Sequence, residues 1–541
     1  MTASDAARAR IDDADQLSLS GLGHGEGYLF EGSEWDFATL DRTYDAIEEI
    51  ALNDLGLDVY TNQIEIISSE QMLDAYASHG MPLMYRHWSF GKHFVREEQL
   101  YRKGVTGLAY EIVINSNPCI SYNMEENTMA MQTLVMAHAA FGHNHFFKNN
   151  YLFQQWTDAD GILDYLNFAK GYIAECEEKH GVAAVEEVLD SAHALMDQGV
   201  FRYGRKPRLN LREQLKRERE RREYEERTFN DLWRTVPGND GDAAGVEAAD
   251  EQLAERKKTL KLPEENLLYF LEKNSPALEP WQREVVRIVR HVAQYFYPQK
   301  QTKVMNEGCA TFVHHYITNA LHEKRLITDG AMLEILHSHA NVLRQPSFDD
   351  PHYRGINPYA LGFAMMSDIK RICCEPEDED REWFPDFAGN GDWRGTLKHA
   401  WANYRDESFI RQYLSPHLIR ELRLFVLADD AAEQHYTVGG IHDEHGYQKV
   451  REALAQSYDL AVIEPDIQVV DVDLKSDRIL HLRHTMRDGV RLHEETMKAV
   501  LAHIRRLWGY DVSLTGVDAE TADPRYSATS TAPSGEKDED K

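Results

Sequence analysis

The sequence predicts an α+β protein: a large, mainly α-helical domain carrying a short β-hairpin, followed by a small C-terminal βαββαβ (ferredoxin-like) domain. Three observations predict it. Apolar residues recur at helical spacing in most segments between Trp35 and Leu422. An Asn/Pro turn at Asn115–Pro118 separates two β-branched runs, Tyr110–Ile114 and Cys119–Tyr122, as in a hairpin. From Leu424 onward, short apolar runs alternate with two amphipathic helices, the pattern of a small sheet covered on one face.

Composition sets the class. Of 541 residues, 42% are hydrophobic, enough for folded cores. The net charge of −32, from 59 basic and 91 acidic residues, leaves no basic field for general nucleic-acid binding. Such an acidic surplus suits a halophilic protein, because concentrated salt screens the repulsion between carboxylates; an ordinary acidic cytosolic protein is the alternative. No run of 18 apolar residues exists, so no membrane span is expected. The N-terminus lacks the basic-then-apolar order of a secretory signal. Five scattered cysteines without a C-x-x-C pair indicate a reduced, cytoplasmic chain.

Taken in order, residues 1–32 are a polar leader expected to be disordered. The helical domain spans 33–422. Asp36 is placed to cap a helix running to Leu55, and Ser68 with Gln71 forms a capping box for the next. Met84–Gly104 is dense in aromatics and histidines, which suits core packing ahead of the alternative, a binding surface. After the hairpin, Asn127 is the expected N-cap of the central helix. Two helices ending in glycine fill 160–200. A basic helix, 202–234, and an acidic linker, 238–251, are inserted next. Trp281–Tyr297 has one apolar face and is expected to break at Pro298; Asn357 and Pro358 open a further helix. The C-terminal domain, 424–515, is expected to fold alone and to do no chemistry. Residues 516–541 read as a disordered tail.

The chemistry gathers in two helices. Thr128–Asn150 is apolar nearly all round yet carries His138, His143 and His145, and Met305–Ile317 carries Glu307, His314 and His315. An unpartnered buried polar group costs roughly 1–3 kcal/mol. His138, His143, Glu307 and His314 are therefore expected to converge on one cavity, with His339 or His193 as a further wall. Neutral imidazoles and carboxylates bind zinc, iron or manganese, which makes His138, His143, Glu307, His314 and His339 the candidate metal ligands. The spacing resists a simple motif. Five residues place His138 and His143 about 140° apart on a regular helix. Sharing an ion would need a π-bulge near Gly142, for which the sequence has no signature. Ala139 stands where H-E-x-x-H has its glutamate. Glu307 and His314 share a face but lie about 10.5 Å apart in rise. Asp190/His193 and Glu334/His337 echo the E-x-x-H pairs of helix-bundle di-metal sites. Competing readings are a structural buried network, an acid–base pocket without metal, a Cys309 nucleophile beside His314, and a carboxylate pair among Glu175, Glu177, Glu178 and Asp190. No P-loop, Rossmann glycine pattern or G-x-S-x-G is present.

The segments MAHAAFGHNHFFKNNYLF, YIAECEEKHG, LDSAHALMDQGVFRY, MNEGCATFVHHYI, MLEILHSHANVLRQP and GINPYALGFAMMSDIKRIC resemble the stage V sporulation protein R (SpoVR) family, in its order, across about Trp35 to Leu514. The resemblance implies a helical cytosolic protein of sporulation or, in microbes without spores, of stress and stationary phase. It also implies a regulatory or scaffold role beside a PrkA-type serine protein kinase and a von Willebrand-like protein. A metal-dependent hydrolase is the other functional class. Cys309 stands where the family has tryptophan (NEGWATF), whereas Glu307 and His314 match.

Overall fold

The structure, a computed structural model, describes residues 27–77, 84–88, 111–202, 260–347, 355–428, 437–440, 443–472 and 477–531, with a few isolated positions besides. Most of the expected leader, nearly all of the basic helix 202–234, the acidic linker and most of Met84–Gly104 lie outside the described residues. Order is already present before residue 33: Leu29 donates its N–H to Leu326 at 2.8 Å, and Phe30 is buried.

Local signals place the first elements. Asp36 accepts from the Thr39 N–H at 2.7 Å and caps helix α1, Phe37–Glu49. Strand β1, Asn62–Ile67, has no counterpart in the sequence reading. The Ser68/Gln71 capping box opens helix α2, Ser69–Ala77. The predicted hairpin forms as β2, Glu111–Ile114, antiparallel to β3, Cys119–Met124, and β1 joins β3 in parallel, giving the order β1–β3–β2. The N-cap of the next helix, α3 (Met129–Met136), is Thr128, one residue later than expected.

The sheet separates two cores. Side chains alternate across a strand. Ile112 and Ile114 of β2, with Ile120 and Tyr122 of β3, face the second core, whereas Val113 packs against the first. The first core holds α3 and its continuation, α8 (Lys303–Glu323), α9 (Asp329–Val342), α10 (Pro358–Cys374), α11 (Trp393–Asn403) and α12 (Asp406–Tyr413). The second is built on α4 (Ile162–His180), α5 (Val182–His193), α6 (Leu267–Asn274) and α7 (Pro280–Gln301). Helix α7 continues through Pro298 rather than breaking there, and the chain turns at Thr302. Asp406 caps the next helix from a distance, accepting from the Val304 and Met305 N–H groups at 2.8 Å each.

The α+β class holds, but the C-terminal unit is arranged differently from βαββαβ. Strands β4 (Val426–Ala428) and β5 (Thr437–Gly440) pair only with each other among the described residues. Helix α13, Glu444–Gln456, sends Tyr447, Val450 and Ala455 into the first core, where it packs against α12. The remaining sheet runs β6 (Asp466–Val472), β7 (Leu480–Met486), β8 (Val512–Asp518), β9 (Pro524–Ser530) in that spatial order. Helix α14, Glu494–Trp508, crosses between the parallel pair β7 and β8. The boundary therefore falls near residue 464, not 424. The expected tail corrects in part as well: Tyr526 and Thr529 are of types enriched in strands, and Pro524–Ser530 pairs with β8.

This unit also shares a core with the helical domain, which argues against its folding alone. Val469, Leu480, Leu482, Trp508 and Leu514 belong to one continuous core with Leu166, Leu189, Phe270 and Val289. Val469 and Glu264 exchange backbone hydrogen bonds, and Ser275 Oγ donates to the Leu507 carbonyl at 2.7 Å. Truncation after Ile463 should therefore expose the apolar face of α4–α7. The expected outcome is loss of the cooperative unfolding transition, or aggregation, read by circular dichroism and size-exclusion chromatography. A well-folded, monodisperse 1–463 fragment would contradict the shared core.

Candidate metal centre

The central helix changes its winding where the histidines lie. After α3, residues Ala137–His143 form a π-helical segment, and a short helix, Asn144–Asn149, resumes the α pattern. In an i→i+5 ladder, residues five apart lie above one another. His138 and His143 consequently share a face, their rings 4.6 Å apart and nearly perpendicular. Small residues permit the wide turn to approach α8. A Cβ on Gly142 would lie 2.5 Å from Ala310 Cα, and one on Gly308 would lie 2.6 Å from Gly362 Cα. Glycine thus seats α8 closely between the π segment and α10 and brings Glu307 to the two histidines.

One ligand atom each from His138, His143 and Glu307 lies within 4.8 Å of the other two. His143 Nε2 is 3.6 Å and His138 Nε2 4.0 Å from Glu307 Oε2. These separations exceed a hydrogen bond. Each imidazole is held from behind. His143 Nδ1 donates to Asn306 Oδ1 at 2.9 Å, which turns Nε2 toward the carboxylate. His138 Nδ1 is 2.9 Å from His314 Nδ1, and His314 Nε2 is 2.8 Å from His339 Nδ1. Glu307 Oε2 is buried with no hydrogen-bond partner among the described residues. Burial holds His138 and His314 far below the usual imidazole range and His339 down to about 4, so this chain of rings is neutral.

The other candidates separate. His314 and His339 stand behind His138 rather than around the same point; His315 stacks on His339 at 4.9 Å. His193 is not a wall of this cluster: it hydrogen-bonds Tyr85 at 2.5 Å and packs on His87, which bonds Asp190 at 3.0 Å. Glu334 accepts from Thr128 at 2.5 Å, and His337 is hydrogen-bonded to Asn341, so the two spaced acid–histidine pairs do not meet. Glu175 lies on an exposed helix face tied to Lys179. Cys309 is fully buried, directs its S–H at the Gly142 carbonyl and has its thiol pushed far up by burial, which removes it as a nucleophile. His145 leaves the cluster and accepts from the Asp58 N–H at 3.0 Å.

Two residues at the cluster, Glu111 and Asn306, are not among the sequence-predicted candidates. Glu111 Oε1 is 3.7 Å from His138 Nε2, and burial together with the charge of Glu307 pushes its carboxyl up to about 8. Its signal was the strand itself: in EIVI, the glutamate shares a face with Val113, toward the first core.

Fold and site together define a largely helical protein with a buried histidine–carboxylate cluster. The chain belongs to the SpoVR family: a model for SpoVR like protein matches residues 34–463, and one for the SpoVR-like C-terminal domain matches 465–519. It is 53% identical over 486 residues to Uncharacterized protein YcgB of Escherichia coli (strain K12), covering 90% of this chain and 93% of the relative. No solved structure matches. Among the described residues, no helix is long and apolar enough to cross a membrane.

His145 gives a pH test away from the cluster. Burial lowers its pKa from 6.5 to about 4. The unfolded chain therefore takes up the proton first. Stability from this residue is complete above about pH 6.5 and falls between there and pH 4, by roughly 3 kcal/mol in all. His145→Gln should flatten that limb of the stability–pH curve measured by denaturant titration; an unchanged limb would contradict the assignment.

Proposed function

We propose that this protein is a metal-dependent enzyme of the hydrolytic class, with His138, His143 and Glu307 holding one divalent cation. The observation that carries the reading is the meeting of electron-rich atoms. Two imidazole nitrogens face a buried carboxylate oxygen that has no hydrogen-bond partner among the described residues. A buried charge without a partner is strongly disfavoured, and a cation supplies what is missing. The donor set suits zinc, iron or manganese. When bound, such an ion supplies Lewis-acid polarisation and a water acidic enough to attack near neutral pH. The protein's own part is orientation: Asn306 fixes the His143 ring and His314 the His138 ring through their second nitrogens, the usual support of a ligating histidine.

Family membership supports placing this activity in sporulation-like or stress and stationary-phase programmes. A regulatory partnership with a PrkA-type serine protein kinase and a von Willebrand-like protein belongs to the same proposal. Cysteine usage supports a cytoplasmic setting, and the acidic surplus supports a halophilic one. Full-length protein purified without a polyhistidine tag and incubated with zinc, manganese or ferrous iron should retain about one equivalent of metal by elemental analysis. His143→Ala should lose it while keeping its circular dichroism spectrum. Folded wild-type protein that retains no metal would overturn the reading.

A further inference from the structure

We propose that Glu111 is a fourth protein ligand, making a two-histidine, two-carboxylate centre suited to manganese or ferrous iron. This rests on the reading of His138, His143 and Glu307 as ligands. Glu111 and Glu307 flank the same atom, His138 Nε2, at 3.7 and 4.0 Å, one from the sheet and one from α8. Neither carboxylate has a lysine or arginine partner within 4.0 Å among the described residues. The placement of Glu111 is built in. β2 is held in register with β3, Glu111 opposite Asn123. Asn123 Nδ2 donates to Gln132 Oε1 at 3.1 Å, and Gln132 Nε2 donates to the Met124 carbonyl at 2.8 Å. That links the sheet to α3, directly ahead of the π segment.

Charge balance favours the larger ligand set. Three ligands and a divalent ion leave one positive charge in a buried cavity, whereas a second carboxylate makes the centre neutral. Ligand preference points the same way. Zinc is satisfied by three protein ligands and a water. Manganese and ferrous iron take six, and added carboxylate oxygen favours them.

The test uses the full chain without a polyhistidine tag. Manganese(II) binding is titrated by electron paramagnetic resonance, and zinc binding by competition with a chromophoric chelator. Glu111→Gln, which keeps the side chain's shape, should weaken manganese binding by about tenfold or more and zinc binding much less. In unsubstituted protein, infrared difference spectra on adding manganese should show two carboxylates perturbed. Glu111→Gln that binds manganese like wild type, or a single perturbed carboxylate, overturns the fourth ligand and leaves the other three standing. Retention of metal by His143→Ala would instead remove the centre on which the proposal rests.

Discussion

How closely α8 approaches its two neighbours sets the geometry on which the rest depends. Packed helices ordinarily keep their axes 8–10 Å apart because side chains intervene. At Gly142–Ala310 and again at Gly308–Gly362 there is no room for an added β-carbon. Glu307 directly precedes Gly308, the first of those contacts on α8, so its carboxylate is carried to His138 and His143 by backbone approach rather than by a flexible side chain. The π segment completes the arrangement by bringing two imidazoles five residues apart onto one face. Asp406 fixes the start of the same helix through two backbone hydrogen bonds.

The three-stranded sheet has a second role besides separating two cores. Its alternation sorts Ile112 and Ile114 from Glu111 and Val113, so a single strand contributes apolar cover to one side and a carboxylate to the other. Behind the cluster, the Asn306 and His314 contacts turn the Nε2 atoms of both imidazoles inward. The result is a set of polar atoms each oriented by a neighbour, apart from the Glu307 oxygen that faces the two rings.

Much of this was legible in the residues. Helix caps at Asp36, Ser68 and Asn357 act locally, within three residues, and the structure has all of them. The pairing of the two histidine-bearing helices followed from their polar residues in apolar surroundings. The π winding was not legible, because it depends on how Gly142 packs against Ala310, a contact across more than 160 residues of chain. For the same reason, regular-helix geometry argued against His138 and His143 sharing a point. The C-terminal topology failed for a related cause: the apolar face of Glu444–Gln456 says that it must be covered, but not by which core. Ser/Thr-rich Pro524–Ser530 read as a tail because an edge strand needs only one bonded neighbour and little apolar content.

The shared second core also imposes an order on synthesis. Helices α4–α7 are complete once residue 301 leaves the ribosome, but the strands that cover them end about 200 residues later. At ordinary translation rates of ~5–20 residues per second, their apolar faces stay open for roughly 10–40 s. The histidine helices, by contrast, find nearly all their neighbours before Asp466 is made. Nascent chains thus pass through a stage with the cluster assembled and the other core still waiting, which is when they most need a chaperone's protection.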